Sequence, residues 1–367
     1  MYTVLHTESS KAWGGQENRI LQECIGLRKL GARVIVLCQP ESVLGKRALA
    51  EGFEVKSCRM RKNYDIPAVR YILKLMKTED IDIINTHSGR DSFLAGVAGR
   101  ISRKKPIIVR TRHLALPITS KITYSLLPHR VVTVSEYVRR YLITKGIHPE
   151  KVISIPTGID LERFDPEKTS ADLRKELKLK PEIPMIGTVA IFRIKKGYHI
   201  LLDTIPLVLG KIPEAVFVFA GDGPQKENIL NKIMNLGLSD KVFFLGLRKD
   251  IPNILKSIDI FVLPTLQEAL GTAFIEAMAM EKPVIGTEVG GVQEVIQNEI
   301  NGYLVKPNNP QVLAEAILKM LHNREEARLM GIEGRKIVQQ NFNTEVMSER
   351  MHQLYLSLLD RKKVTNE

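Results

Sequence analysis

Short apolar runs alternate with amphipathic stretches along almost the whole chain. In the first half, residues 2–6, 33–38, 53–55, 81–85, 106–110, 131–134 and 151–155 read as strands. Between them lie runs with apolar residues at helical spacing: 16–30, 42–50, 67–77, 91–101, 118–126 and 136–145. In the first of these, Ile20, Leu21, Cys24, Ile25 and Leu27 recur at the three- and four-residue intervals that build one face of a helix. Prolines and glycines in Pro156-Thr157-Gly158-Ile159-Asp160 and Phe164-Asp165-Pro166 interrupt the pattern, which places a domain boundary at about residue 165. The second half resumes the alternation, with strands at 185–191, 215–220, 241–245, 258–263 and 284–285. Its helices are 198–209, 225–236, 251–256, 272–280, 310–322 and 325–340, with a short one begun by Gly290-Gly291. An amphipathic run at 344–359 ends the pattern, and the polar tail 361–367 is expected to fray. Strand–helix alternation of this kind predicts α/β units with parallel sheets covered on both faces. In such sheets ligands bind beyond the carboxyl ends of the strands, so the loops there carry the chemistry.

The most informative of these loops lies in the stretch from Pro264 to Gly286. It carries Glu268 and Gly271 between a buried strand and a helix that begins at Thr272. Unpaired backbone N–H groups at a helix start, with the partial positive charge of the helix dipole, make an anion site. Glu276 lies one turn into that helix and leans back toward its start. Two carboxylates beside an anion site suit a ligand with phosphates and many hydroxyls, as a nucleotide sugar has. Three loops of the first half are also polar. Gly14-Gly15-Gln16-Glu17 stands directly before a helix, where two glycines allow close backbone approach. Asn85 to Arg90 holds His87, and Arg110-Thr111-Arg112-His113 holds His113; the arginines suit a phosphate or carboxylate. Arg193, Lys195, Lys196 and Gly197 form a basic loop before a helix in the second half.

Composition narrows the setting. Residues 1–165 carry 28 Lys and Arg against 16 Asp and Glu, a net of +12, while residues 166–367 carry 26 against 25. The excess in the first half points to an anionic acceptor or an anionic membrane face; no basic helix, zinc finger or interleaved aromatic pattern supports nucleic acid. Three cysteines without C-x-x-C spacing exclude a disulfide framework and point to the cytoplasm. No apolar run approaches the roughly 20 residues that span a bilayer, and the start lacks a signal-peptide pattern. Asp80-Ile81-Asp82 imitates a metal-binding pair but opens a buried strand, and no other ligand cluster stands out, so neither a metal nor a cofactor is expected. Gly221-Asp222-Gly223 lacks the continuation of a dinucleotide fingerprint.

Taken together, these motifs resemble the retaining glycosyltransferases of family 4. Glu268 and Glu276 are similar to that family's E-x7-E pair, and Gly14-Gly15 to its glycine loop after the first strand. Pro156–Asp160 with Phe164 and Pro166 resembles its interdomain linker, with Thr157 where asparagine is usual. Arg193, Lys196 and Gly197, then Ala220 to Pro224, then Gly290-Gly291 with Glu294, also match in order. The chain departs at Ala190 and Ile191, where many members have Gly-Arg, and at Ala269-Leu270 after the first glutamate.

The resemblance implies a GT-B fold: two Rossmann-like domains with parallel sheets facing across a cleft, an acceptor-side domain of residues 1–165 and a nucleotide-sugar-binding domain of residues 166–343. The helix at about 344–360 is expected to pack back toward the first. It further implies metal-independent transfer of a sugar from a nucleotide-diphosphate sugar, with retained configuration. Arg193 and Lys196 would neutralise the leaving diphosphate, Gly15 would allow its approach, and the backbone at Gly271, Thr272 and Ala273 would donate to it. Glu276 would hold ribose hydroxyls, Leu247 and Arg248 would contact the base through their backbone, and Glu268 and His113 would bind the donor sugar. Gln16, His87, Arg110 and Arg112 are the acceptor-side candidates. The expected acceptor is an anionic or lipid-linked glycan of bacterial cell-envelope polysaccharide or lipopolysaccharide assembly, reached from the inner face of the cytoplasmic membrane. An epimerase, a phosphorylase or a non-catalytic nucleotide-sugar module would share the fold; intact Lys196, Glu268 and Glu276 argue against the last.

Overall fold

The computed structural model describes residues 1–62 and 64–366. The chain forms two compact units: Met1–Gly158 with Thr344–Glu367, and Ile159–Asn343. The first unit is built on seven parallel strands, β1 (Thr3–Glu8), β2 (Arg33–Cys38), β3 (Glu54–Ser57), β4 (Ile83–Thr86), β5 (Ile107–Arg112), β6 (Arg130–Thr133) and β7 (Val152–Ser154). They lie in the order β3-β2-β1-β4-β5-β6-β7. Successive side chains point to opposite faces, and both faces are apolar. Val4, Val36, Ile83, Val109 and Val132 share one core with Ile20, Leu21, Cys24 and Leu27 of the helix Gly15–Lys29. Leu5, Ile35, Leu37 and Ile84 share the other with residues of the helices Ile66–Thr78 and Gly89–Ile101. The last helix, Thr344–Asn366, adds Met347, Met351, Leu354 and Tyr355 to the first of these cores.

The second unit has six parallel strands: β8 (Met185–Val189), β9 (Val216–Ala220), β10 (Val242–Gly246), β11 (Ile260–Leu263), β12 (Val284–Thr287) and β13 (Gly302–Val305). Their order is β10-β9-β8-β11-β12-β13. Ile186, Phe217, Phe219, Ile260, Val262 and Ile285 pack with the helices Tyr198–Leu209 and Pro310–His322 in a single core. In each sheet the strand order reverses once, between β1 and β4 and between β8 and β11. At such a reversal the flanking loops diverge and leave a crevice at the carboxyl ends. The loops after β1, β4, β8 and β11 are those that carry Gly15, His87, Lys196 and Glu268.

Four details depart from the sequence-based expectation. The helix expected over residues 118–126 is only Ile122–Ser125. The loop before it is held instead by Arg112, which donates to the carbonyls of Leu114 and Leu116, and by the Tyr141 hydroxyl, which accepts from the Ile118 N–H at 3.2 Å. Strand β13 is only four residues long, and the short helix Leu173–Glu176 has a single apolar residue, so neither announces itself. The last helix extends past residue 359 as far as Asn366, with Glu367 outside the described residues. The three cysteines are free and buried. Among the described residues no helix is long and apolar enough to cross a membrane.

The contribution of the last helix to the first unit is open to a direct test. Met351 is fully buried, whereas Leu356 is 37% exposed. Met351→Ala is expected to lower stability by about 2–4 kcal/mol through lost burial and the cavity left behind, and Leu356→Ala by less than about 1 kcal/mol. Chemical-denaturation midpoints of the two variants check this.

Candidate functional site

In the second unit the candidate residues gather at the β8/β11 reversal. The basic loop after β8 makes one turn of 3-10 helix, Ile194–Lys196, and ends at Gly197 with φ +73°. A Cβ on Gly197 would lie 1.9 Å from the carbonyl oxygen of Pro264, so only glycine permits this approach. The Lys195 carbonyl accepts from the Leu266 N–H at 2.7 Å and from the Thr265 hydroxyl at 2.9 Å. This stitching brings the Lys196 ammonium onto the Glu268 carboxylate, a close ion pair whose partners are 13% and 15% exposed. Arg193, three residues before Lys196, is exposed. Burial pushes the Lys195 ammonium below its ordinary value.

Glu268 is held from the other side as well. Its carbonyl accepts from the Gly291 N–H at 3.2 Å, and a Cβ on Gly291 would lie 2.2 Å from the Ala269 carbonyl oxygen. The helix Thr272–Ala279 starts at Gly271, φ +102°, with no side-chain cap. The N–H groups of Thr272 and Ala273 have no intrahelical acceptor and stay available to a ligand. Glu276 lies half-buried one turn on; burial pushes its carboxyl up to about 7, with Arg163 opposing. Leu247 is 78% exposed just past β10, and Gly246 before it has φ +64°. The Arg248 side chain is committed elsewhere: it pairs with Glu176 and with Asp250, each at two oxygens. Only its backbone is left for another partner.

In the first unit the polar residues cluster past the ends of β1, β4 and β5. Gly15 begins a helix, and nothing lies within 4 Å of where its Cβ would be, so the fold itself does not demand glycine there. Gln16 donates to Glu8 Oε2 at 2.5 Å and to the Ser88 hydroxyl at 2.9 Å. Glu8 is buried and also accepts from the Ser88 hydroxyl and the Ser10 N–H; burial pushes its carboxyl up despite these bonds. Asp91, fully buried, accepts from Thr7, Ser9 and the His87 and Ser88 N–H groups, and burial with nearby Glu8 raises it to about 8.

Arg110 is buried with its guanidinium carbon 3.6 Å from the centre of the Tyr124 ring. Its Nε and Nη1 have no hydrogen-bond partner among the described residues, and burial pushes it down to about 10. Arg112 is occupied with Leu114, Leu116 and, at 2.6 Å, the Tyr124 hydroxyl. It braces the loop after β5 and has little left for an acceptor. His87 and His113 are buried and bonded to each other at 3.0 Å. Sequence reasoning passed over Glu8, Ser88 and Asp91. The signal for Glu8 was the switch from apolar to polar at the end of β1, His6-Thr7-Glu8, inside an otherwise buried strand.

The two sheets, each with its crevice at a strand-order reversal, define a protein of two Rossmann-like α/β domains. Family models match both parts: Glycosyltransferase Family 4 over residues 13–163 and Glycosyl transferases group 1 over residues 169–337. The chain belongs to the GT-B glycosyltransferases. The UDP-Gal:alpha-D-GlcNAc-diphosphoundecaprenol alpha-1,3-galactosyltransferase of Escherichia coli is 28% identical over 315 residues, covering 81% of each chain. The capsular polysaccharide biosynthesis glycosyltransferase CapM of Staphylococcus aureus is 24% identical, over 80% of this chain and 82% of its own. A glycosyltransferase from Rickettsia africae superposes with a TM-score of 0.90 at 24% identity, covering 98% of both chains. HepE from Anabaena, solved in complex with UDP and glucose, superposes with a TM-score of 0.84 at 20% identity, over 97% of this chain and all of its own.

The raised carboxyl of the half-buried Glu276 has a measurable consequence. Its folded value of about 7 exceeds the ordinary 4.5, so between these values the folded chain holds a proton that the unfolded chain releases. Its contribution to stability is therefore full at low pH and is lost as pH rises from about 4.5 through about 7. Glu276→Gln is expected to be more stable than the wild type by about 1–2 kcal/mol at pH 8, with the difference closing at pH 4. Denaturation midpoints at the two pH values read this directly.

Proposed function

We propose that this glycosyltransferase moves a sugar from a nucleotide-diphosphate sugar to an anionic or lipid-linked glycan acceptor of the bacterial cell envelope, with the anomeric configuration retained. The observation that carries the reading is the Lys196–Glu268 pair, fixed at the β8/β11 reversal beside an uncapped helix start. A diphosphate leaving group gains negative charge as its bond to the sugar breaks. Cations and N–H groups fixed where that charge appears stabilise the transition state more than the ground state. Lys196 and Arg193 supply the cations, and the N–H groups at Gly271, Thr272 and Ala273 supply the dipoles. No metal is needed for this charge to be met. Glu268 binds hydroxyls of the donor sugar and supports positive charge at the anomeric carbon. Glu276, whose raised value makes it a proton donor as readily as an acceptor near neutral pH, holds the ribose hydroxyls. The exposed backbone at Leu247 and Arg248 meets the base.

In this reading the first unit supplies His113 to the donor sugar and Gly15 to the approach of the diphosphate, with Gln16, His87, Arg110 and Arg112 on the acceptor side. Arg110 fits this best, since it offers two buried N–H-bearing nitrogens that no group among the described residues satisfies. Transfer is front-face: the bond from the anomeric carbon to the phosphate oxygen breaks, the acceptor oxygen bonds to the same face, and the acceptor's proton passes to the departing phosphate. Glu268 is a poor nucleophile for a covalent route while Lys196 holds its carboxylate. The E. coli relative, by its name, pairs a UDP-sugar donor with a lipid-diphosphate acceptor, which supports the donor and acceptor classes, and the S. aureus relative acts in capsule biosynthesis, which supports a cell-envelope acceptor. The basic first half supports peripheral contact with an anionic inner membrane face.

Mass spectrometry across UDP-, GDP- and ADP-sugars is expected to show one donor consumed without added metal. With that donor, Lys196→Ala and Glu268→Ala are each expected to lower turnover at least about 100-fold with unchanged thermal unfolding. Near-wild-type turnover in both variants would refute the site. Co-sedimentation with anionic liposomes is expected to weaken as salt rises from low to about 0.5 M; binding indifferent to salt counts against an electrostatic contact.

A further inference from the structure

Three histidines form one continuous row inside the first unit. His6 lies on β1, His87 directly follows β4 and His113 directly follows β5. His6 Nδ1 is 3.0 Å from His87 Nε2, and His87 Nδ1 is 3.0 Å from His113 Nε2. The ring centres are 5.3 Å apart at both steps, and all three side chains are buried. At the inner end, His6 Nε2 has no hydrogen-bond partner among the described residues and faces Glu23 Oε1 at 3.9 Å. Glu23 comes from the helix Gly15–Lys29, which covers the sheet face that His6 shares with Val4. It is itself fully buried. Its Oε1 accepts from the Tyr355 hydroxyl at 3.0 Å and from Asn85 Nδ2 at 3.1 Å, and its Oε2 lies 3.7 Å from Arg19 Nε. At the outer end, His113 Nδ1 has no partner among the described residues and is not among the sealed, unsatisfied atoms.

Burial pushes all three imidazoles below their ordinary value, so the row is neutral at pH 7. A neutral imidazole carries one N–H and one lone pair. Two shared bonds across three neutral rings then allow only two arrangements of protons, each the mirror of the other. In one, His6 turns a lone pair toward Glu23, and His113 carries its proton on Nδ1. In the other, His6 points Nε2–H at Glu23, His87 donates from Nε2 to His6, and His113 donates from Nε2 to His87. The Glu23 carboxylate only accepts, so it opposes the first arrangement and favours the second.

We propose that Glu23 is a positioning residue for His113: acting through His6 and His87, it fixes His113 as the Nε2–H tautomer and leaves Nδ1 as an acceptor for a hydroxyl of a bound sugar. The ligand hydroxyl then donates to His113 rather than receiving from it, which selects a substrate with a free hydroxyl at that point. The sugar part of this inference rests on the reading that His113 meets substrate; the tautomer part does not.

The test uses the full-length protein labelled with 15N-histidine and long-range 1H–15N correlation of the ring nitrogens at pH 7.5. In the wild type His113 is expected to show an unprotonated Nδ1 and a protonated Nε2, with at least about a tenfold excess of that tautomer. Glu23→Gln keeps the shape and the acceptor oxygen but removes the charge, and His6→Phe keeps a ring but cuts the row. In both, His113 is expected to become a mixture of tautomers. His113 carrying its proton on Nδ1 in the wild type would overturn the proposal without recourse to any variant. An unchanged His113 tautomer in folded Glu23→Gln and His6→Phe would overturn it too. Donor turnover separates the two parts: a changed tautomer with unchanged kcat and KM leaves the positioning standing and rejects His113 as a substrate contact.

Discussion

Lys196 and Glu268 meet because Gly197 has no side chain. A parallel sheet must route every strand end back across a helix, so the loops after β8 and β11 part company at the reversal of strand order. Bringing them together again requires one backbone to lie on another. Gly197 does this against the carbonyl of Pro264, in a left-handed conformation that other residues rarely adopt, and Gly291 repeats the device against Ala269. Between these two close approaches the Glu268 loop is clamped from both sides. The carboxylate, the ammonium and the free helix start are thus fixed before any ligand arrives, which is the condition for electrostatic stabilisation without reorganisation.

The first unit solves a different problem. Its sheet edge carries buried groups that are costly to keep: Glu8, Asp91, Arg110 and three histidines. Such groups persist in a core only when hydrogen bonds or opposite charge answer them. Glu8 and Asp91 are answered by hydroxyls and backbone N–H groups, and the histidines largely by one another. Arg110 is answered on one face by the Tyr124 ring, while two of its nitrogens go unmet. The second unit pairs Lys196 with Glu268 and uses Gly197 and Gly291 to bring their loops together. The first keeps its charges buried and relies on networks, with Arg19, Glu23, Asn85 and Tyr355 sealed beneath the histidine row. Tyr355 comes from the end of the chain and Glu23 from near its start, so this network also ties the last helix to the first.

The alternation of apolar runs was enough to establish the class of fold and most of its elements, because strand and helix periods are local properties of the chain. Glycines next to basic or acidic residues marked the loops of the second unit for the same reason: a close backbone approach leaves its trace at the residue that makes it. The elements that escaped were those with weak local signals, β13 and Leu173–Glu176, or with misleading ones. Residues 118–126 have helical spacing, but the Ile118 N–H at their start is captured by the Tyr141 hydroxyl, and Arg112 holds the loop just before them.

By itself, then, the sequence determined two parallel-sheet domains, the loops at their strand ends, and the charged residues and glycines those loops carry. Only the tertiary structure decided which of those residues are free to act. Arg112 and the Arg248 side chain look available in sequence and are committed in space, while Arg110, beside one of them, keeps two nitrogens unmet. His6, Glu23 and Tyr355 carry no motif at all and become a single network because β1, the first helix and the last helix pack together. Periodicity is written along the chain; a hydrogen bond between residues 332 positions apart is not, because it exists only once the intervening chain has folded.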